Sequence, residues 1–170
     1  MYLRRAVPGD EDTVARVHVI SWQAAYRGLL SDEYLDGLDP ADRAARYTFG
    51  DTGRDRPSTT MAVDEERDEI CGFSSSGPCR DRARPDAGEL YAIYVHPDWW
   101  NRGVGRLLMD ETRIHLADQG FAHAVLWVLV GNERAMRFYR TDGWRPDGQR
   151  RIEEVHGISV DEICYVRSLP

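Results

Sequence analysis

Residues Glu89–Val130 hold two strand-like runs separated by one helical span, and no other feature limits the possible folds as tightly. Glu89–Val95 is rich in the aliphatic and aromatic residues that suit a pleated strand, and His96-Pro97-Asp98 ends it because proline withholds a ladder donor. Gly103–Gln119 carries helical periodicity, and Gly120 followed by Phe121 gives the pattern of a Schellman stop. Ala122–Val130 is almost continuously apolar, as expected of a buried sheet position. A strand–helix–strand crossover makes its two strands parallel and is right-handed. The expectation is a mixed α/β sheet with its ligand near the carboxyl ends of the parallel strands.

The flanking segments fill out that sheet. Tyr2–Ala6 reads as a first strand, broken by Pro8-Gly9-Asp10, with Asp10 able to cap a helix. That helix places Val14, Val17, His18 and Ser21 on one face and continues through Trp22 and Ala25 to Gly28. Asp32–Leu38 predicts a second helix behind Ser31, and Asp39-Pro40 opens a third that runs to near Gly50. Asp51–Ser58 is polar and turn-rich, and Thr60–Asp64 with Ile70–Ser75 predicts an antiparallel hairpin. Gly77–Gly88 reads as a mobile loop. Asn132 caps a helix to about Thr141, and Gln149–Val155 with Ile158–Arg167 predicts a last hairpin turning at His156-Gly157. Residues 1–170 read as a single domain.

The chemical signal sits where the crossover helix begins. Gly103 and Gly105 flank Val104 there, and two glycines let a ligand approach the unpaired backbone N–H groups of a helix start. Those donors and the helix dipole form an anion site, to which Arg102 and Arg106 add guanidinium forks suited to phosphate. A turn with two surface arginines is the plainer alternative. The dinucleotide fingerprint is not met, because Leu108 stands where its third glycine belongs.

Trp100-Asn-Arg-Gly-Val-Gly105 resembles the acetyl-CoA pyrophosphate loop of the GNAT superfamily, and it follows a strand ending in Tyr-Val-His-Pro as that loop typically does. Asn132-Glu-Arg-Ala-Met-Arg-Phe-Tyr139, with Gly143-Trp144 beyond it, resembles the second signature of the family. The match covers Glu89–Trp144, and Ser21–Gly28 is more weakly similar to a bacterial subgroup. Trp100 departs from the usual Gln or Arg, which costs one polar contact to the cofactor.

The resemblance implies a GNAT-like fold of about seven strands with flanking helices, splayed between strands 89–95 and 122–130. It implies acetyl-CoA in that wedge, with its pantetheine arm along the backbone near Tyr94 and Val95. Arg102, Gly103, Val104, Gly105 and Arg106 would hold the phosphates, and Asn132 would add a pantetheine contact. The implied reaction is direct attack of a primary amine on the thioester. Glu89, by its position before Gly103, resembles the family's general base, and a surface glutamate at the strand's start is the alternative. A backbone N–H near Val95 would hold the oxyanion. Tyr139 resembles the general acid, with a packed aromatic as the alternative. N-terminal acetylation of a protein and a non-catalytic acyl-CoA-binding module remain open beside acetylation of a small-molecule or peptide amine.

Composition narrows the rest. All 22 basic residues are arginine, which excludes a Schiff-base lysine and a P-loop lysine. A net charge of −7 argues against nucleic-acid binding. Three scattered cysteines and five histidines without ligand spacing predict no metal site. No run approaches the ~18–20 apolar residues of a membrane span, and no signal-peptide core is present, so the expected location is the cytoplasm. A homodimer is an expectation of the family resemblance.

Overall fold

The computed structural model describes residues 1–50, 53 and 56–170, so most of the turn-rich stretch expected before the first hairpin lies outside the described residues. Seven strands form one sheet: β1 (Tyr2–Arg5), β2 (Ser58–Asp64), β3 (Glu69–Pro78), β4 (Gly88–Val95), β5 (His123–Leu129), β6 (Arg145–Val155) and β7 (Ile158–Ser168). Their order across the sheet is β1-β2-β3-β4-β5-β7-β6. Every pairing is antiparallel except β4 with β5, the pair joined by the crossover.

That parallel pairing is short. Only Gly88–Leu90 face Ala124–Leu126, and the strands then diverge. The cause is visible on the other side of β4. Ser76 pairs with Leu90 and Ser75 with Ala92, so Tyr91 is an extra residue without a partner in β3. Such a bulge bends its strand and sharpens the local twist. It turns the ends of β4 and β5 apart and re-aims the side chains beyond it.

The two faces carry separate helices. α1 (Glu11–Ala25) packs Val14 and Val17 against Met61, Val63 and Phe73, and α2 (Asp32–Asp36) and α3 (Pro40–Ala44) follow it. α4 (Val104–Asp118) and α5 (Glu133–Thr141) bury Met109, Leu116, Met136 and Tyr139 against Leu90, Leu126, Val128 and Tyr165. Full burial of side chains of this size contributes about 1.5–3 kcal/mol each. The stop of α4 is a Schellman motif, with Phe121 N–H reaching Leu116 O at 3.2 Å and Gly120 N–H reaching Ala117 O at 2.8 Å.

Several boundaries differ from the sequence reading, each for a tertiary reason. α3 stops at Ala44 rather than near Gly50, because Tyr47 and Phe49 turn in to join the α1-side core. Asp10 occupies the N-cap of α1 without capping it, since its carboxylate instead accepts from Arg4 at 2.7 and 2.8 Å and from Val7 N–H at 2.8 Å. β3 extends through Pro78 because β4 pairs along it. β6 starts at Arg145, ahead of the expected Gln149, across an irregularity between Pro146 and Arg150. The stretch expected to be a mobile loop is tied down by Arg80 to Glu89 and by Arg84 to Asp147. A 3-10 turn at Pro97–Trp99 follows β4, where the sequence shows only the strand's end.

Candidate active site

Where β4 and β5 part, they leave a cavity of 610 Å³. Ser21, Ala25 and Tyr26 of α1 line one mouth, and Asn132, Arg134, Phe138 and Tyr139 of α5 line the other. Tyr94, Val95, Gly103, Gly105 and Arg106 complete the wall with Trp127. The slot therefore passes through the sheet from the α1 face to the α5 face.

Its backbone is prepared for an extended ligand. His96 N–H donates to Cys71 O at 2.8 Å. By the alternation of an antiparallel ladder, the amides of Tyr94 and Ala92 turn toward β3, and those of Ile93 and Val95 turn into the wedge. The Val95 carbonyl is already saturated, by Trp100 Nε1 at 2.7 Å and Ser21 Oγ at 3.0 Å. Val95 N–H and the Ile93 carbonyl remain for a ligand to pair with. Trp100 thus uses its one donor inside the protein. It fixes the strand end to the loop, while the Arg134 guanidinium lies over its ring at 3.2 Å.

The start of α4, the candidate anion site, is a glycine turn with unpaired amides. Asn101 (φ 60°) and Gly103 (φ 84°) are both left-handed, and they turn the chain into α4. Leu107 N–H makes the first helical bond, to Gly103 O at 3.0 Å, so the amides of Val104, Gly105 and Arg106 precede it and face outward. The Val104 side chain is buried against Leu108 and Cys71 and offers only its backbone. Arg102 is exposed, 5.3 Å over Trp99, at the rim rather than in the cavity wall. Asn132 caps α5 through Oδ1 to Ala135 N–H at 3.1 Å, leaving its amide nitrogen as a donor at the wall.

Tyr139 is 8% exposed, and burial holds its phenol well above the ordinary value, so the group is a neutral proton donor across the working pH range. Glu89 lies elsewhere. It is 1% exposed, outside the cavity wall, and accepts from Arg80 N–H at 2.8 Å, Arg80 Nε at 3.1 Å and an Arg80 terminal nitrogen at 2.5 Å. Its lone pairs are committed to that arginine.

A different carboxylate has an open oxygen. Glu162 of β7 shares the α1-side face of the sheet with Trp127, since Leu126 and Tyr165 of the neighbouring pair point to the opposite core. Arg151 makes both of its bonds to Oε2, each at 2.8 Å, and stacks at 4.1 Å over Trp127. Oε1 has no hydrogen bond or ion pair among the described residues, and Glu162, like Glu89, lies outside the cavity wall, behind Trp127. The Tyr26 and Tyr94 phenols are raised mainly by burial and, to a smaller extent, by the Glu162 charge, which places all three groups in one field. Nothing local marks Glu162 in the sequence; only cross-strand pairing brings it to Trp127. Trp22 and Trp144 are buried, whereas Tyr26 and Trp127 stand at the cavity.

Above the α1 mouth, the turn between β6 and β7 lays His156 against His18 at 5.4 Å and Trp22 at 5.1 Å. Burial, then the charges of Arg43 and Arg46, push His156 down to about 4, and burial with the Arg43 charge holds His18 well below its usual value. Both are neutral in the fold and take up protons when unfolded. Their contribution to stability is complete above about pH 6.5 and is lost as pH falls toward 4, with about 1.4 kcal/mol for every tenfold loss of proton affinity on folding. Thermal melts should therefore show the melting temperature dropping between pH 6.5 and 4. His156→Gln should flatten that slope, and an unaltered slope would assign it to other groups.

Among the described residues, no cluster of three or more His, Cys, Asp or Glu side chains is placed to hold a metal, and no helix is long and apolar enough to cross a membrane.

The family model for the Acetyltransferase (GNAT) family matches residues 17–144, and the chain belongs to that family. It is an acetyl-CoA-dependent N-acetyltransferase, transferring acetyl to an amine. An uncharacterized N-acetyltransferase of Bacillus subtilis (strain 168), YuaI, is 31% identical over 95% of this chain and 89% of its own length. A GCN5-related N-acetyltransferase from Rhodopseudomonas palustris superposes with a TM-score of 0.74 at 22% identity, over 99% of this chain and 95% of that one. The PaiA N-acetyltransferase of Thermoplasma acidophilum, solved in complex with coenzyme A, superposes at 0.69 with 17% identity, over 98% of both chains. These two likenesses establish the seven-stranded GNAT fold.

Proposed function

We propose that residues 1–170 act as one GNAT domain in the bacterial cytoplasm, acetylating a small-molecule or peptide amine that enters from the α1 face. The supporting observation is the through-slot itself, with an outward-facing helix start at one end and, at the other, Tyr26, Tyr94 and Trp127, behind which the Glu162 charge acts on both phenols. The amides of Val104, Gly105 and Arg106, with Arg106 and the rim Arg102, bind the pyrophosphate. The pantetheine arm extends β4 through Val95 N–H and the Ile93 carbonyl, with Asn132 donating from the far wall. A wedge-facing amide of β4 stabilises the oxyanion as the amine attacks. Tyr139 then donates its proton to the departing thiolate.

Removal of the amine's proton is assigned to Glu162, acting through water, and Glu89 is assigned to holding Arg80 and the β3–β4 connection. Glu162→Gln keeps the side chain's shape and Arg151 as a neighbour. It should lower kcat/KM by about tenfold near neutral pH, with the loss shrinking as pH rises and free amine becomes abundant. Glu89→Gln should chiefly lower the melting temperature, because it weakens the bonds that compensate a buried carboxylate. If Glu89→Gln flattens the acidic limb of the rate profile and Glu162→Gln does not, the two roles are exchanged.

A further inference from the structure

Arg43 of α3 is 8% exposed, and among the described residues its guanidinium makes no hydrogen bond and no ion pair. The other shielded arginines are matched by carboxylates: Arg84 by Asp147, Arg113 by Asp142, Arg151 by Glu162. The side chain as a whole is shielded while its guanidinium nitrogens keep contact with solvent, so the charge is open to an anionic ligand that no protein carboxylate forestalls. Burial lowers the pKa of Arg43, as expected of a cation short of compensation.

Its neighbours have the same deficiency. His18 Nδ1 lies 2.7 Å from the Tyr47 hydroxyl, and His18 Nε2 is buried without a partner. If the hydroxyl donates to Nδ1, the neutral ring carries its proton on Nε2. Trp22 Nε1, which can only donate, is also buried without a partner of hydrogen-bonding geometry. The His18 ring is 5.4 Å from Trp22 and 4.7 Å from Tyr94, and the Arg43 charge is felt at His18, His156 and Tyr94. His18 Nε2 is therefore left without an acceptor, and Trp22 Nε1 has only the Tyr94 oxygen near it, short of full hydrogen-bonding geometry. Tyr94 is shared with the wall of the acetyl-transfer cavity.

We infer that the acceptor is a small amino acid-like molecule whose carboxylate is seated by Arg43, with Trp22 and His18 as further donors, while its amine passes Tyr94 into the wedge. This rests on the N-acetyltransferase reading of the cavity. It also gives the acceptor two poles, since the open oxygen of Glu162 beyond Tyr26 and Tyr94 suits the ammonium. Polyamines and lysine side chains within a peptide carry no anionic group at the required place.

The test measures thiol release from acetyl-CoA with the free L-amino acids and with their methyl esters, which keep the amine and remove the charge. The wild type should prefer at least one free acid over its ester by about tenfold or more in kcat/KM, and in Arg43→Met that ratio should fall to near one, mainly through KM. Its melting temperature should stay level or rise by about 2–4 °C, because a shielded side chain loses a charge that has no counter-charge in the protein. Esters that match or exceed the acids in the wild type would overturn the inference. So would a panel in which no amino acid is acetylated although calorimetry shows acetyl-CoA bound. Equal loss on acids and esters with a lowered melting temperature would show Arg43 to be structural. Absence of acetyl-CoA binding would remove the underlying N-acetyltransferase reading, and the inference with it.

Discussion

Gly103→Glu should weaken acetyl-CoA binding by about 100-fold or more, near 2.7 kcal/mol, in isothermal titration calorimetry. Gly103 has φ +84°, and a Cβ there meets nothing within 4 Å, so the new side chain fits in space. Its backbone cost is the left-handed conformation, about 1–2 kcal/mol, which lowers the melting temperature by a few degrees without unfolding the chain. The affinity is lost to charge: a carboxylate would stand before the amides of Val104, Gly105 and Arg106, where the helix dipole favours an anion from the ligand. Gly103→Ala separates the two effects, since it carries the same backbone strain and no charge. It should bind within a few-fold of the wild type. If the two variants bind equally well, the phosphates do not sit at this helix start.

Tyr139→Phe should lower kcat by about 100-fold while the affinity for acetyl-CoA changes by no more than about twofold. The ring is 8% exposed and packs 5.5 Å from Phe138 and 6.3 Å from Tyr165, contacts that phenylalanine preserves. Only the hydroxyl is removed, and with it the neutral donor that burial keeps protonated. Rapid-quench measurement of the chemical step distinguishes this from slowed product release. An unchanged chemical step would take Tyr139 out of the reaction and leave it as a wall of the cavity.

How far each feature is legible depends on the range of the interaction that makes it. The crossover from Glu89 to Val130 is readable because a strand, a helix start and a second strand are each set by neighbours in the chain. The same holds for Gly103 at the anion site and for the Asn132 cap, whose signals span a few residues. The Schellman stop after Gln119 is likewise local. The Tyr91 bulge is not readable, since it exists only as a mismatch between β3 and β4. In sequence Trp100 reads as the loss of a polar contact; its indole in fact locks the Val95 carbonyl, a bond that needs the 3-10 turn at Pro97–Trp99 to bring it round.

The carboxylates show the limit most clearly. Spacing singles out Glu89, but the connection from β3 returns Arg80 onto it and occupies both oxygens. Glu162 has no motif, because its place is fixed by pairing with Leu129 on one side and Arg151 on the other. Arg43 is one of 22 arginines in the sequence and becomes distinctive only when α3 packs onto α1, which shields the side chain and leaves its guanidinium without a counter-charge. By itself, the sequence determined the class of fold, the cosubstrate and the left-handed turn into the helix at Gly103, because backbone conformation and capping are decided within a few residues. Tertiary structure alone decided which charges are matched and which are open, because those depend on distances between residues that the chain separates and the sheet brings together.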